Sequence, residues 1–331
     1  MRSTIALCLS LLAAPVHAVD LQQIVDTQIV PGYRDLAQAS QTMAEAAKAN
    51  CAPDDASLRE AYAAAFDKWI MVSHLRFGPS EVDDRAFALA FWPDTRGATP
   101  KALTALIQAK DPIIKTADGL SDLSIAARGF YALEFLLYDP AFTEAPSDYS
   151  CALIQALTID IARTTGAILR DWTNGYATLL STQGNDTYRT DAEAQRQLFT
   201  ALTTGLEFTS GTRLGRPLGT IDKPRPARAE ARRSKRSQRH VVLSLTATRD
   251  LALALAIDTP GLAGDMQRAF DRALARAETL EDPGFVNVDD PAQRFRLEAL
   301  KQQIDDIRTR LIADLGPSLG VTVGFNSLDG D

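Results

Sequence analysis

The chain has 331 residues, 46% of them hydrophobic, with 35 Lys and Arg against 42 Asp and Glu. That length supports a full core and about two domains. The negative balance argues against general nucleic-acid binding.

Met1-Arg2 precedes an apolar run from Ile5 to Ala14, and Val16-His17-Ala18 supplies a small-x-small pattern before Val19. We read residues 1–18 as a secretory signal peptide cleaved after Ala18; the run falls short of the about 18 residues a membrane span needs. Cys8 lies inside the run rather than behind a lipobox, so no lipid anchor is expected. No later stretch reads as a span, since Asp250 and Asp258 bound Leu251 to Ile257. The mature chain, expected to be soluble and periplasmic, keeps 34 basic against 42 acidic residues, a formal charge of −8. It also keeps Cys51 and Cys151, which in an oxidising compartment are expected to pair, two separate thiols being the alternative.

From Leu21 onward helical periodicity dominates and β signals are rare, which predicts an all-α fold. Pro31-Gly32 is expected to break or kink the first helix, after which Tyr33 to Lys48 continues. Asp54-Asp55-Ala56-Ser57 offers a cap for a helix to about Leu75, with Leu58, Tyr62, Ala65, Phe66, Trp69 and Val72 as a core stripe. Gly78-Pro79 stops it. His74, near its end, fits a dipole partner, a pocket wall or a metal ligand. Phe91-Trp92-Pro93-Asp94-Thr95-Arg96-Gly97 is a turn-rich aromatic loop, either a plug over the core or the wall of a site, and Thr99-Pro100 starts a helix through Lys110.

Ser121 or Asp122 is the expected cap of the next helix, which carries Gly129-Phe130-Tyr131-Ala132-Leu133-Glu134-Phe135-Leu136-Leu137-Tyr138. One carboxylate, Glu134, sits where a core residue is expected, and Tyr131 shares its face three residues earlier. A carboxylate buried there must find a partner or become neutral. Pro140 and Pro146 precede a long helix from about Tyr149 to Leu180, and Gly184-Asn185-Asp186 is the best domain boundary, giving bundles over 19–184 and 185–331.

The second half repeats the theme with a helix from Asp191 to about Thr212 that contains Gly205-Leu206-Glu207-Phe208, an echo that places Glu207 like Glu134. Lys223 to His240 is strongly basic. A helix starting after Pro226 would align Arg228, Arg232, Lys235, Arg236 and Arg239 along one side. Three readings fit this run: a solvated face, an inward cluster that neutralises Glu134 and Glu207 or binds an anion, and contact with an anionic surface or polymer. Leu243 to Ile257, Met266 to Leu280 and Pro291 to Leu315 read as helices, and Val321 to Phe325 as an extended tail.

Gly129-Phe130-Tyr131-Ala132-Leu133-Glu134 resembles the G-x-H-x-x-E signature of the imelysin-like proteins, with Tyr131 in the histidine position. The ending Gly324-Phe325-Asn326-Ser327-Leu328-Asp329-Gly330-Asp331 resembles that family's G-F-N-x-x-D-G-D, and Phe91-Trp92-Pro93-Asp94 is a third patch. The resemblance implies two similar helical halves and a cell-envelope protein often associated with iron uptake. It also implies that a Ser- and Arg-bearing segment, here Arg232, Arg233, Ser234, Arg236 and Ser237, faces the signature across the junction. The expected ligand-binding set is therefore Gly129, Tyr131, Glu134 and Glu207 with those five residues.

A phenol, with its pKa near about 10, ligates poorly unless a strong Lewis acid such as ferric iron displaces its proton. Three readings of Tyr131 and Glu134 follow: part of a ferric or ferric-chelate site, a remnant in which the hydroxyl bonds the glutamate, or a metal-free site for a small anion or peptide. The family carries a metallopeptidase name, but neither H-E-x-x-H nor G-x-S-x-G is present, and no enzyme is expected. The functional expectation is an exported binding or accessory protein linked to iron or haem acquisition. Its partners would be a small ligand or metal and an envelope receptor or transporter. The alternatives are an imelysin-type peptidase and a structural interaction protein for an outer-membrane partner.

Overall fold

A computed structural model describes residues 19–144 and 147–321; the residues read from sequence as a signal peptide, Pro146 and the tail beyond Val321 lie outside the described residues. Among those described, the elements are helices and turns, with one isolated bridge between Thr220 and Lys223. The principal helices are α1 (Val30–Ala49), α2 (Ala56–Val72), α3 (Ala98–Ala109), α4 (Gly129–Tyr138) and α5 (Asp148–Asp171). Then come α6 (Asp191–Glu207), α7 (Ser237–Leu255), α8 (Pro260–Glu278) and α9 (Pro291–Arg310).

Local chemistry sets most boundaries. Asp55 accepts from the Leu58 N–H to start α2, Ser147 from Ser150 to start α5, and Thr190 from Glu193 to start α6. The α2 stripe named from sequence is buried throughout. No break occurs at Pro31-Gly32: a π-helical turn, Val25–Ile29, leads straight into α1 and widens the backbone just before the proline, which occupies the first turn.

α1, α2 and α5 pack together, and Cys51–Cys151 forms a disulfide between the α1–α2 loop and the first turn of α5. One helical stretch, Asp148–Ser181, is long and apolar enough to cross a membrane by length and composition, contrary to the expectation of none. Within its apolar window 56% is buried in the protein, where it packs along α1 and α4 as a core helix.

α6, α7, α8 and α9 form a second set of packed helices. α7 also lies on α2, so the two sets meet along that contact.

Two local expectations are corrected. The signature helix does not start at Ser121 or Asp122. Those residues close a short helix, Ala117–Asp122, and a capped 3-10 turn follows at Ile125–Ala127. Arg128 is then extended, its guanidinium bonded twice to Asp160 of α5, and Gly129, the first residue of α4, takes φ +73. That left-handed step needs glycine here, because a Cβ on Gly129 would lie 2.2 Å from the Leu89 carbonyl oxygen.

The basic run is also not a helix from Pro226. After a 3-10 turn at Pro226–Arg228, residues 229–236 form turns, with Ala231 at φ 45 and Lys235 at φ 56, and α7 begins only at Ser237. Two left-handed residues interrupt any helical stripe, so the arginines fan out.

Candidate functional site

α4 presents two polar side chains to the junction, and each finds a different partner on the 229–236 segment. The Tyr131 hydroxyl donates to Glu230 Oε1 at 2.5 Å. Glu134 Oε1 accepts from the Ser234 N–H at 2.9 Å and from its hydroxyl at 2.7 Å. Tyr131 and Glu134 thus share a face, as their spacing implies, but not a hydrogen-bond partner.

Glu230 is the hub. It is 1% exposed, and its Oε2 accepts from Arg213 Nε at 2.8 Å. His240 Nδ1 lies 3.1 Å from the same oxygen, without hydrogen-bond alignment. Arg213 also donates to the Thr209 and Ser244 hydroxyls, both at 3.3 Å, which bond one another at 2.7 Å. Arg213 comes from the π-helical stretch Phe208–Leu214 after α6, where the wider turn points it inward.

Burial alone would raise the Glu230 carboxyl, but Arg213 first, then His240 and the Tyr131 hydroxyl, outweigh it and hold it at about 2. Burial pushes Tyr131 well above its usual value, with the Glu230 charge adding to it. Burial also pushes Glu134 up, against the Ser234 hydrogen bonds and the Arg233 and Arg232 charges. His240 is pushed down by burial, helped by Arg236 and Arg213 and opposed by Glu230. At neutral pH the centre therefore holds a carboxylate–guanidinium pair, a protonated phenol and a neutral imidazole.

The remaining arginines anchor the segment at its edges. Arg233 donates to Asp139 at 2.5 Å and stacks 3.5 Å over Phe135, while Arg236 pairs with Asp67, which also takes Arg239 at 3.2 Å. Arg232 Nε is buried with no hydrogen-bond partner. Ser237 donates to the Glu230 carbonyl at 2.5 Å.

Glu207 does not join this cluster. Its side chain is 40% exposed and bonds Arg308 of α9 at 2.6 Å. The helix widens just after it, so the inward position passes to Arg213.

The aromatic loop forms a wall. Trp92 stacks on Tyr131 at 6.1 Å and meets Phe208 edge-on, while Phe66 bridges Tyr131 and His240 from the α2 side. His74 is pushed down to about 4 by burial and by Arg213, so it is neutral and not a charged partner of the α2 dipole.

Among the described residues, no three His, Cys, Asp or Glu side chains are placed to hold a metal ion together. The donors present do not fit ferric iron as arranged: the phenol is committed to Glu230, and Arg213 holds the other Glu230 oxygen.

Sequence reasoning missed Glu230, Arg213 and His240. Two signals were available: Glu230 is the only acid between Lys223 and His240, and Arg213 the only charge between Phe208 and Leu214.

The geometry defines an all-α protein with an enclosed polar junction between a signature helix and a non-helical arginine segment. The chain belongs to the imelysin family, whose model, Imelysin (Peptidase M75), matches residues 29–311. An imelysin-like protein from Psychrobacter arcticum 273-4 superposes with a TM-score of 0.79 at 19% identity, over 94% of this chain and 100% of that one. A protein assigned as an iron-regulated protein A precursor from Parabacteroides distasonis ATCC 8503 gives 0.69 at 15% identity, over 88% and 94%. No curated protein matches the chain.

Proposed function

We propose that this protein is exported to the periplasm and serves as a binding or accessory component of the cell envelope in iron or haem acquisition. Iron would be taken as an anionic complex, a ferric chelate or haem, at the α4 junction.

One observation carries this reading. Glu134 is 2% exposed and pushed up by burial, yet its hydrogen bonds among the described residues come only from Ser234, on a segment with no helical ladder of its own. That segment is anchored at one end by Glu230 on Arg213 and Tyr131, and beyond it by side-chain contacts of Arg233 to Asp139 and Arg236 to Asp67. Lifting it would expose Glu134, Arg232, Arg233 and Arg236 together, and guanidinium groups suit the carboxylates of a chelate or of haem. The signal-like residues 1–18 and the Cys51–Cys151 disulfide support export. The iron-regulated name of one structural relative supports the link to iron.

The test is absorption-monitored titration of Val19–Asp331 with haem and, separately, with a ferric chelate, repeated in Glu134→Gln and Arg232→Gln. Saturable binding that weakens about tenfold or more in both variants is expected. No saturation with either complex overturns the reading, and turnover of a fluorogenic peptide lost in Glu134→Gln would replace it with the peptidase alternative.

A further inference from the structure

A second concave site lies away from the junction, between α8 and α9. This groove of about 650 Å³ is lined by Arg272, Arg276, Leu280 and Glu281 on one side and by Arg296 and Gln303 on the other. The helices run antiparallel there, since Arg276 donates to Gln303 at 3.0 Å while Arg310 faces Asp265 at 3.4 Å and Arg296 faces Glu281 at 3.8 Å.

The groove gathers arginines that the fold leaves largely unpaired. The chain as a whole is acidic, and Arg128, Arg213, Arg233 and Arg236 each sit on a carboxylate. In the groove, Arg272 has no ion pair or hydrogen bond among the described residues, and Arg276 bonds only a neutral amide. Arg296 reaches its one acid only at 3.8 Å, and that acid is 81% exposed. Three guanidinium groups therefore converge with most donors unspent, over the buried side chain of Leu280.

Each guanidinium has a planar fork that matches a carboxylate or phosphate edge, and three of them on two facing helices, lining a groove of about 650 Å³, suit several anionic groups on one skeleton. The volume is that of a small-molecule site.

We infer that the α8–α9 groove binds a small polyanion carrying two or three carboxylate or phosphate groups on a short skeleton. Arg272 and Arg296 take terminal groups from opposite walls, and Arg276 takes the group between them. The site is separate from the junction and does not rest on the function proposed there.

The experiment is calorimetric titration of Val19–Asp331 with propane-1,2,3-tricarboxylate and with pyrophosphate, acetate serving as the single-charge control. The better of the two probes identifies the source of the negative groups. Saturable binding of at least one is expected, falling about tenfold or more in Arg272→Gln/Arg276→Gln and unchanged in Arg268→Gln, which already pairs with Asp265. Affinity is expected to drop further as salt rises from about 20 to about 200 mM. All these positions except Arg276 are well exposed, so the fold is expected to persist, and circular dichroism checks it. Arg272→Glu provides a single-site variant with the same expected loss. Binding of neither probe at low salt, or binding in Arg272→Glu and the double variant as tight as in the wild type, overturns the inference. Glu134→Gln is expected to leave this binding unchanged, so its failure and failure of the junction reading are told apart.

Discussion

Arg213→Ala tests whether Glu230 is the electrostatic hub. The side chains of Arg213 and Glu230 are 5% and 2% exposed, and Glu230 is held at about 2 against an ordinary 4.5. At about 1.4 kcal/mol per pKa unit, that depression corresponds to about 3 kcal/mol of stability carried by the ionised form. Removing one partner of a buried pair costs about 3–5 kcal/mol, so the two routes agree on the expected loss at pH 7. The Thr209 and Ser244 hydroxyls still bond one another, so the loss falls chiefly on Glu230. The pH dependence separates this from simple loss of packing. In the wild type the Glu230 carboxyl is depressed, so its contribution is complete above pH 4.5 and fades as pH falls toward 2. In the variant burial acts without Arg213 to oppose it, the carboxyl rises, and protonation relieves the strain as pH falls. The gap between the two proteins should therefore narrow by about 2 kcal/mol between pH 7 and pH 3.5. Urea unfolding followed by circular dichroism at several pH values measures it. A deficit below about 1 kcal/mol at pH 7, or one that does not change with pH, would refute the reasoning.

Gly129→Ala should cost more than about 3 kcal/mol, because its Cβ would strike the Leu89 and Ala88 carbonyl oxygens at a φ of +73; thermal melting reads this. Cys151→Ser should lower stability by about 4 kcal/mol, since the cross-link spans a sequence separation of 100, and reducing agent should reproduce the effect in urea melts of the wild type. Glu134→Gln should be neutral or stabilising at pH 7: a carboxyl pushed up by burial contributes stability below its unfolded value of 4.5 and loses it as pH rises through the folded value. Ser234→Ala, which leaves that carboxyl without its donors, should cost about 1–3 kcal/mol in the same assay.

The helices were legible because their signals are local. Asp55, Ser147 and Thr190 cap helices on their own, and the stripe from Leu58 to Val72 fixes a buried face. Half of the candidate site was legible for the same reason, since a lone carboxylate on the apolar α4 reads directly from spacing. The other half depends on contacts between distant residues. The segment 229–236 has helical charge spacing, but Ala231 and Lys235 turn left-handed while Ser234 reaches Glu134 one hundred positions away. Glu207 misled because a four-residue echo copies composition and not the wider turn that follows, which hands the inward position to Arg213.

Glu134 and Glu230 are both buried, yet their environments push them in opposite directions. Glu230 has a direct guanidinium partner, so its charge is compensated within the fold. Glu134 has only the Ser234 hydrogen bonds and the charges of Arg233 and Arg232, neither of which pairs with it, and burial prevails. A glutamine could accept from Ser234 equally well, so stability does not account for an acid at this position. Nor does any helix require the surrounding arginines, since Arg232 leaves its Nε buried and unbonded. A carboxylate that the fold disfavours beside a guanidinium it leaves unsatisfied is the arrangement expected where a ligand completes both, and that is why the junction, rather than the better-paired Glu230 below it, is the place to look for binding.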